Sequence, residues 1–575
     1  MNPAATPRQR FLARFGPWLL FGAFVLVLAA ALFSYRLAVP TAAIDLDAAG
    51  RVAVLPVVNA TGEPEHDWVR LGLMEMIAET LRRTPGVEVV EPARLPAALA
   101  ARGLDSDAAA ARPRVRELAL ALGGELVLDV EARRSTRRGA GDAELYSLRF
   151  AVVDRAGATI GEGELRGTEP VRIAERLTSQ LAGALAARAA PVAMRRVYSS
   201  SPFLNRLYGM GRAAAATADP EAASRFFEIV LEIEPGFLAA RLAQAEQARR
   251  AGRLEESRQL FLAVLEEAQN RAERVWEGRT LHALAVTTAL LGKTGEAVTL
   301  ATQVPSLPAL AGDRAARLAV LRDLARFALG GGDEARAAEL YREAGTLQQE
   351  LGDRLGRVDT LAQLGALALR AGDLDAAERD LAEARDLAQE LGDVHTEMQV
   401  LASLGEIASR RGDAAAAIAM WQRAASFYAQ RGETARSLLL TRNVAEAVLR
   451  GGDLAAAEDA FHDVRELAVA AGDATLEGLA SLRLAYILLR RGYPYQARPF
   501  LDRALKLDRR IDEPLTLQRL IAWMAYEEGN YRLAVDTLSA LKRQAGDAWH
   551  ELDEGFLAAF TRALERGERV PLPAE

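Results

Sequence analysis

The segment LRAGDLDAAERDLAEARDLAQELGD, from Leu369 to Asp393, contains the dipeptide Gly-Asp twice, twenty residues apart. The same pair recurs in phase with this interval at 312, 332, 352, 412, 452 and 472, and Gly432-Glu433 and Gly492-Tyr493 fill the remaining positions. A glycine can end a helix in the left-handed conformation without strain, and an aspartate after it can cap the next helix. Each interval therefore predicts one helix and one turn, and two intervals predict a forty-residue helical hairpin.

Small and large side chains recur at fixed positions inside these hairpins. One set is Gly365, Ala377, Leu381 and Ala384, and the set forty residues later is Gly405, Ala417, Trp421 and Ala424. Small residues allow two helices to approach closely, and the large residue fills the space against the neighbouring hairpin. Hairpins of this kind bury their apolar faces by stacking, so the pattern predicts a solenoid.

This spacing resembles the tetratricopeptide repeat. The clearest copy is NRLYGMGRAAAATADPEAASRFFEIVLEIEP, where the family pattern falls on Leu207, Tyr208, Gly211, Ala223, Phe227, Val230 and Pro235. The resemblance implies an array of about nine hairpins over residues 200–565, with a C-terminal tail at 566–575. It also implies protein or peptide partners without identifying them, because repeat arrays bind very different ligands.

The N-terminal region contains a long uncharged segment, FGPWLLFGAFVLVLAAALFSY, at residues 15–35. As a helix it would be about 31 Å long, which matches the hydrocarbon core of a bilayer. Arg8, Arg10 and Arg14 precede it, so the positive-inside rule predicts a cytoplasmic tail at 1–14 and an exported remainder, periplasmic in a bacterium. The alternative is a signal peptide cleaved after VPTAA. We expect an uncleaved, single-pass anchor in the inner membrane that contacts the lipid bilayer.

Residues 45–195 predict a small α+β domain. The β-branched run from Arg51 to Val58 and the segment from Val87 to Glu91 predict strands, and three later segments predict an antiparallel meander. Amphipathic segments between and after them predict helices. The predicted fold class is thus mostly α: an α-solenoid of tetratricopeptide repeats, preceded by a small α+β domain and one transmembrane helix.

This domain resembles the extracytoplasmic part of ToxR/CadC-like membrane-integrated transcriptional regulators. The resemblance is carried by Val54, Leu55, Pro56, Asn59, Gly62, Gly72, Leu73, Glu75 and Gly86, within VAVLPVVNATGEPEHDWVRLGLMEM and the segment after it. In those regulators a winged-helix domain precedes the membrane helix, whereas MNPAATPRQRFLAR is the whole sequence before it here. Fourteen residues cannot bury a core, so we expect no nucleic-acid binding of that kind.

The composition argues against several classes of site. The chain has 575 residues, a net charge of −7 and no cysteine, and its five histidines are scattered. Thiolate metal sites, disulfides and a cysteine nucleophile are excluded, and no histidine pair has metal-ligand spacing. No nucleotide-binding or catalytic motif is present, so we expect neither an enzyme nor a cofactor.

One feature of the array suggests a binding surface. An arginine stands two positions before the turn glycine of four successive repeats, at Arg370, Arg410, Arg450 and Arg490. Arg322 and Arg442 are predicted to lie on the same surface. The simpler interpretation is that a cation at a helix C-terminus stabilises the helix dipole, typically by 0.3–1 kcal/mol. The alternative is that the arginines hold an extended acidic peptide, because guanidinium groups pair well with carboxylates.

Three functions remain compatible with the sequence. The first is a membrane-anchored, periplasmic scaffold that binds other proteins through its repeats. The second is the sensory half of a one-component transmembrane transcriptional regulator without its own DNA-binding domain. The third, an enzyme, has no motif in its favour.

Overall fold

The computed structural model describes residues 50–573, except 105–108, 135–144, 186–193, 217–218, 306, 308–312 and 508–512. The chain forms two compact units, residues 1–356 and 357–575. The predicted membrane segment at 15–35 lies outside the described residues. Within the described part of the chain, no helix is both long and apolar enough to cross a membrane.

The first unit begins with a five-stranded sheet. Its strands are β1 (Val52–Val54), β2 (Val58–Ala60), β3 (Leu126–Arg134), β4 (Tyr146–Asp154) and β5 (Thr159–Gly167). β1 and β2 both pair in parallel with β3, and β3, β4 and β5 form the predicted antiparallel meander.

Helices accompany this sheet and bury its apolar residues. They are α1 (Val69–Arg82), α2 (Arg94–Ala101), α3 (Arg112–Ala121), α4 (Pro170–Leu185) and the short α5 (Met194–Val197). α1 contacts β1 and β2, α3 contacts β1 and β3, and α4 contacts β4 and β5. Leu55, Leu73, Leu128 and Leu148 are completely buried in the resulting core.

Two strand predictions were wrong in their extent. The predicted strand at 51–58 is divided into β1 and β2, because Pro56 has no N–H to donate and Val57 N donates to the carbonyl of Arg70 instead. The predicted strand at 87–91 is reduced to one bridge between Val89 and Val52. β1 is only three residues long, so it offers that segment little edge with which to pair.

The repeat region consists of helices paired as antiparallel hairpins. In chain order they are α6 (Pro202–Ala216) and α7 (Pro220–Ile233), α8 (Leu238–Arg250) and α9 (Leu254–Asn270), α10 (Arg274–Leu290) and α11 (Thr294–Gln303), α12 (Arg314–Gly330) and α13 (Glu334–Glu350), α14 (Arg354–Ala371) and α15 (Leu374–Glu390), α16 (Val394–Arg410) and α17 (Ala414–Gln430), α18 (Thr434–Arg450) and α19 (Leu454–Ala471), α20 (Ala474–Arg490) and α21 (Pro494–Lys506), and α22 (Pro514–Glu527) and α23 (Tyr531–Ala545). The helix α24 (Glu551–Arg566) packs on α23.

The turns between helices have the predicted chemistry. Gly372 follows α14 with a φ of +81°, in the left-handed region. Asp373 Oδ1 then accepts a hydrogen bond of 3.0 Å from the backbone N–H of Ala376, at the start of α15. Asp413 makes the same bond to Ala416 N. The recurring Gly-Asp pair therefore ends one helix and starts the next, as predicted from the sequence.

The pairing of small and large residues is also observed. A Cβ atom added to Gly405 in α16 would lie 2.7 Å from Nε1 of Trp421 in α17. The indole N–H of Trp421 donates to the carbonyl of Ala402 at 3.0 Å, so the ring is fixed against the first helix. Ala417 and Ala424 are completely buried beside it. Close helix approach at the small residues thus explains the forty-residue pattern.

Candidate interaction surfaces

The predicted arginine row lies at the ends of the first helices of four hairpins in the second unit. Arg410, Arg450 and Arg490 are the last residues of α16, α18 and α20, and Arg370 is the second-last residue of α14. All four are exposed. Each end therefore presents a guanidinium group where the last carbonyl groups of the helix lack intrahelical partners.

Neighbouring members of the row are brought together by contacts between repeats. Arg410 Nη1 donates to the carbonyl of Leu369, the residue before Arg370, at 3.0 Å. Arg450 Nη2 donates to the hydroxyl of Ser409, the residue before Arg410, at 3.1 Å. Each of these arginines thus reaches the last turn of the preceding first helix, and the forty-residue spacing produces spatial neighbours.

The arginines of the row have different partners for their charge. Arg410 Nε donates to Glu406 Oε1 at 2.8 Å. Arg490 donates to the hydroxyl of Tyr486 at 2.8 Å, and its guanidinium lies 5.7 Å from the centre of that ring. Arg450 has no carboxylate partner in the part of the chain that the structure describes. A carboxylate from another molecule would therefore complete the hydrogen bonding of Arg450 best.

The other two predicted residues are not part of this row. Arg442 lies two turns before Arg450 in α18, is half-buried, and donates to the side chain of Asn443 at 3.2 Å. Arg322 lies in α12, in the first unit, and is half-buried there. Burial lowers the pKa of Arg326, one turn later in the same helix, and the charge of Arg322 lowers that pKa further.

A second surface, which the sequence reasoning missed, joins the α+β domain to the repeats of the first unit. Helix α1 packs along α6, the first helix of the array. The two helices touch at a pair of glycines: a Cβ atom added to Gly72 would lie 2.7 Å from Cα of Gly209. The ring of Trp68 covers this contact and is almost completely buried.

Charged residues surround this contact and pair across it. Glu75 of α1 accepts from the hydroxyl of Tyr208 at 2.7 Å and from Arg212 Nε at 2.7 Å, both on α6. Arg212 also binds Glu246 of α8 at 3.0 Å. Glu79, one turn after Glu75, is fully buried.

Glu79 is surrounded by arginines from both parts of the interface. It lies 3.2 Å from Arg279 Nη1 of α10 and 3.2 Å from Arg83 Nε at the end of α1. The guanidinium groups of Arg83 and Arg279 lie 4.6 and 5.3 Å from the ring centre of Trp276. The first helices α6 and α10 therefore contact α1 through ion pairs, and α8 joins the cluster through Glu246, which pairs with Arg212.

The pKa shifts in this cluster follow from its composition. Burial raises the pKa of Glu79, but the charges of Arg279, Arg82 and Arg83 outweigh it and lower the pKa overall. Burial likewise raises the pKa of Glu246, and Arg212 and Arg279 more than offset this. Burial alone lowers the pKa of Arg279, whereas Glu79, Glu75 and Glu246 raise it well above the usual range. These groups are therefore held in their charged forms.

Two further ion pairs extend the contact to later repeats. Arg94 of α2 forms a bidentate pair with Asp353, with N–O distances of 2.8 and 3.0 Å. Arg82 Nη2 lies 2.8 Å from Asp313 at the start of α12. Both aspartates belong to the Gly-Asp series, so two of the capping residues also bind the α+β domain.

The sequence contains one signal of this interface. Glu75 and Glu79 are four residues apart among the apolar residues Met74, Met76, Ile77 and Ala78, so they share one face of an otherwise buried helix. Charged residues are rarely buried unless they are paired. Their partners could not be identified, because Arg212 and Arg279 lie more than a hundred residues away in segments with no related pattern.

One described group of side chains has the composition of a metal site. Oxygen or nitrogen atoms of Glu63, Glu65 and His66 lie within 4.8 Å of one another. His66 Nδ1 is 3.1 Å from Glu63 Oε2, and Arg134 forms an ion pair with the other oxygen of Glu63. The guanidinium group of Arg134 already pairs with this carboxylate, so the cluster supplies no argument for a metal.

Comparisons with known proteins give partial matches. The family model of soluble NSF attachment protein, SNAP, matches residues 331–471. A STAND-class signal transduction ATPase with a tetratricopeptide repeat sensor, from Pyrococcus horikoshii, is 14% identical, with a TM-score of 0.44; the match covers 54% of this chain and half of that one. Among curated proteins, none matches the sequence.

Two further solved structures match over part of the chain. The apo form of RapI is 10% identical, with 58% of this chain and 99% of that chain covered and a TM-score of 0.44. The apo quorum sensor NprR from B. thuringiensis is 16% identical, with 48% and 79% covered and a TM-score of 0.39. The protein is a tetratricopeptide-like helical repeat protein.

Proposed function

We propose that the protein is a binding scaffold whose second unit holds an extended acidic segment of another protein along the arginine row. The observation that carries the proposal is the spacing of exposed guanidinium groups, one per repeat, of which Arg410 and Arg450 reach the repeat before them. An extended peptide would offer carboxylates to successive repeats. Charge-assisted hydrogen bonds from arginine suit this role because the guanidinium fork matches carboxylate geometry.

The location of this scaffold is part of the proposal. The apolar segment 15–35 would anchor the chain in a bacterial inner membrane, with residues 1–14 in the cytoplasm and the repeats in the periplasm. A reporter fused after Glu575 is then expected to be active only in the exported compartment. Activity in the cytoplasm would contradict this orientation.

A second candidate function is the sensory half of a transmembrane regulator. The buried ion pairs that join α1 to the first helices α6 and α10 favour it, because a change in the α+β domain would disturb the repeats directly. Removing the chain should then alter the transcripts of a defined set of genes. Unaltered transcripts together with a changed set of membrane complexes would favour the scaffold alone.

The test of the scaffold replaces all four arginines of the row with glutamine in the full chain. Binding is measured to synthetic peptides of about twelve residues that are rich in glutamate, rich in lysine or uncharged. We expect the wild-type chain to prefer the glutamate-rich peptide, with an affinity that falls as salt rises. The substituted chain should lose at least tenfold in affinity, or about 1.4 kcal/mol.

A matched control removes the same charge elsewhere in the second unit. Arg379, Arg385, Arg431 and Arg532 lie on or just after the second helices of their hairpins, and each pairs with a nearby carboxylate. Their replacement by glutamine should leave peptide affinity within about twofold, because none of the four belongs to the arginine row. Each lost ion pair is exposed and should change stability by no more than about 1 kcal/mol. If both quadruple variants bind equally well while only the first melts earlier, the arginines serve the helix dipole and the proposal is wrong.

A further inference from the structure

A small cleft lies in the first unit, where the α+β domain meets the first repeat helix. Its volume is about 230 Å³, and its lining includes His66, Trp68, Tyr146, Glu169 and Arg206. His66 and Trp68 precede α1, Tyr146 begins β4, Glu169 directly precedes α4, and Arg206 lies on α6. Four separate segments therefore supply its walls.

The walls combine aromatic and charged groups. Trp68, His66 and Tyr146 are almost completely buried, and the rings of His66 and Tyr146 are 5.3 Å apart with an angle of 47° between their planes. Glu169 and Arg206 are half-buried. The cleft thus offers one anion, one cation and aromatic surface within the space of a small molecule.

Several of these polar groups have no partner among the residues that the structure describes. Nε1 of Trp68 and Oε1 of Glu169 are buried and make no hydrogen bond in the described residues. Across the same part of the chain, no ion pair or hydrogen bond involves the guanidinium group of Arg206. Buried polar groups are normally satisfied, because an unpaired one destabilises the fold. Here a buried donor and a buried acceptor without partners line one cleft, together with the half-buried Arg206, which has no partner among the described residues.

The two charged residues also fail to satisfy each other. In the described residues, no ion pair within 4.0 Å joins Glu169 to Arg206, although both line the same small cleft. Groups of opposite charge that face one cleft without meeting can both be satisfied by a ligand that carries both charges. Such a ligand needs an anionic group for Arg206 and a cationic group for Glu169.

We propose that this cleft binds a free α-amino acid in its zwitterionic form. The carboxylate accepts hydrogen bonds from the Arg206 guanidinium, which matches it in geometry. The ammonium group donates to Glu169 and lies against the aromatic walls, which attract cations. The site is separate from the arginine row and stands independently of its proposed role.

The size of the cleft supports a single amino acid over a longer peptide. Clefts that hold drug-sized ligands have volumes of about 300–1,000 Å³, and this one is smaller. Because its walls come from both the α+β domain and α6, an occupant would touch both sides of their interface. Binding should therefore stabilise the first unit by mass action.

The test measures ligand binding to the full chain by calorimetry and by thermal shift. Each of the twenty amino acids is tried at about 10 mM, well above the concentration needed to see a weak site. The best one is then compared with its decarboxylated amine and with its deaminated acid. We expect the amino acid to bind at least about tenfold more tightly than either, since each analogue lacks one charge-assisted contact.

Substitution assigns each contact to its residue. Arg206→Gln should abolish the preference for the amino acid over the amine and keep the preference over the acid. Glu169→Gln should do the reverse. Arg225 and Glu221 form an exposed ion pair on α7, so Arg225→Gln and Glu221→Gln are matched controls that should leave both preferences unchanged.

The crossed pattern separates binding from a general loss of stability. A variant that is merely destabilised would lose affinity for all three compounds alike. If Arg206→Gln does not fold, Arg206→Lys keeps the charge and should retain part of the preference over the amine. The proposal is overturned if none of the twenty amino acids shifts the melting temperature, if inorganic phosphate binds as well as the best amino acid, or if the preferences survive both substitutions.

Discussion

The two units build the same hairpin but use their charged residues differently. In the first unit, carboxylates of α1 are buried against arginines on the first helices of the repeats, as Glu79 is between Arg83 and Arg279. In the second unit, the ends of the corresponding first helices carry exposed arginines, such as Arg450. The first helices of the first unit use their arginines to hold the α+β domain, whereas Arg450 has no carboxylate partner among the described residues.

This difference shows how one repeat architecture can serve two purposes. Small residues such as Gly405 and Ala417 determine how the helices stack, and both units have small residues at such helix contacts. The residues at the surface of the first helices determine which charged groups each unit presents. A buried, paired charge fixes one permanent partner, because separating it would leave uncompensated charges. An exposed arginine leaves the choice of partner open.

The largest expected effect comes from removing the buried carboxylate. Glu79→Ala leaves Arg83 and Arg279 in the interface without their closest counter-charge. Breaking a buried ion pair in this way destabilises a protein by about 3–5 kcal/mol. We expect the first unit to unfold earlier in urea, and hydrogen exchange should increase in α1, α6 and α10.

The control for this substitution is Glu378→Ala in the second unit. Glu378 is exposed and pairs with Arg411 on the surface, so its removal should change stability by no more than about 1 kcal/mol. Equal effects of the two substitutions would mean that the α+β domain is not held to the repeats by these ion pairs. The contrast between the units would then have no energetic basis.

Acid should act on the same interface with a smaller effect than the substitution, because protonation leaves the side chain in place. The pKa of Glu79 is lowered in the folded chain, where its arginines outweigh the opposing effect of burial. A lowered folded pKa means that the unfolded chain takes up the proton first as pH falls. The stabilisation is therefore complete above the unfolded pKa of about 4.3 and is lost as pH falls through the folded pKa.

Melting temperatures between pH 7 and pH 3 check this expectation. The first unit of Glu79→Gln should lose less stability on acidification than the wild-type chain, because the amide does not titrate. Identical acid profiles for wild type and Glu79→Gln would show that another group controls the response.

The array was predictable from the sequence because its determinants are local. Gly372 and Asp373 act within one turn, and Gly405 meets Trp421 only sixteen residues away, so the period alone revealed their roles. The arginine row followed from the same period. That Arg410 and Arg450 reach the preceding helices was not predicted, because side-chain direction at a helix end depends on packing.

The interface of the first unit was not predictable from the same information. Gly72 and Gly209 touch although they lie in unrelated patterns, and nothing in the sequence pairs Glu79 with Arg279. At residues 87–91 the error is of the opposite kind, because a predicted strand does not form. Its β-branched residues favour a strand, but the short β1 allows Val89 only one bridge. Contacts between domains depend on geometry that only the folded chain provides.

The smallest expected effect tests the turn chemistry that both units share. Asp373 Oδ1 caps α15 by accepting from Ala376 N at 3.0 Å. Replacing a capping aspartate with alanine typically destabilises by about 1 kcal/mol. We therefore expect Asp373→Ala to lower the stability of the second unit by about that amount, with faster hydrogen exchange at the start of α15.

The neighbouring Asp375 supplies the matched control, because it has the same side chain in the same turn but does not cap the helix. Its carboxylate is almost fully exposed and pairs with Arg411 at 2.5 Å, so Asp375→Ala should change stability by only about 0.5 kcal/mol or less. Asp373→Ser should restore most of the loss, since a serine hydroxyl caps nearly as well.

If the two alanine variants are equally stable, and serine restores nothing, then the twenty-residue recurrence of Gly-Asp is not maintained by helix capping, and the glycine alone accounts for the turns. If the expected order is found, the same carboxylate position has two uses in this chain: it caps a helix at Asp373, and at Asp353 it caps α14 through Gly356 N while also binding Arg94 of the α+β domain.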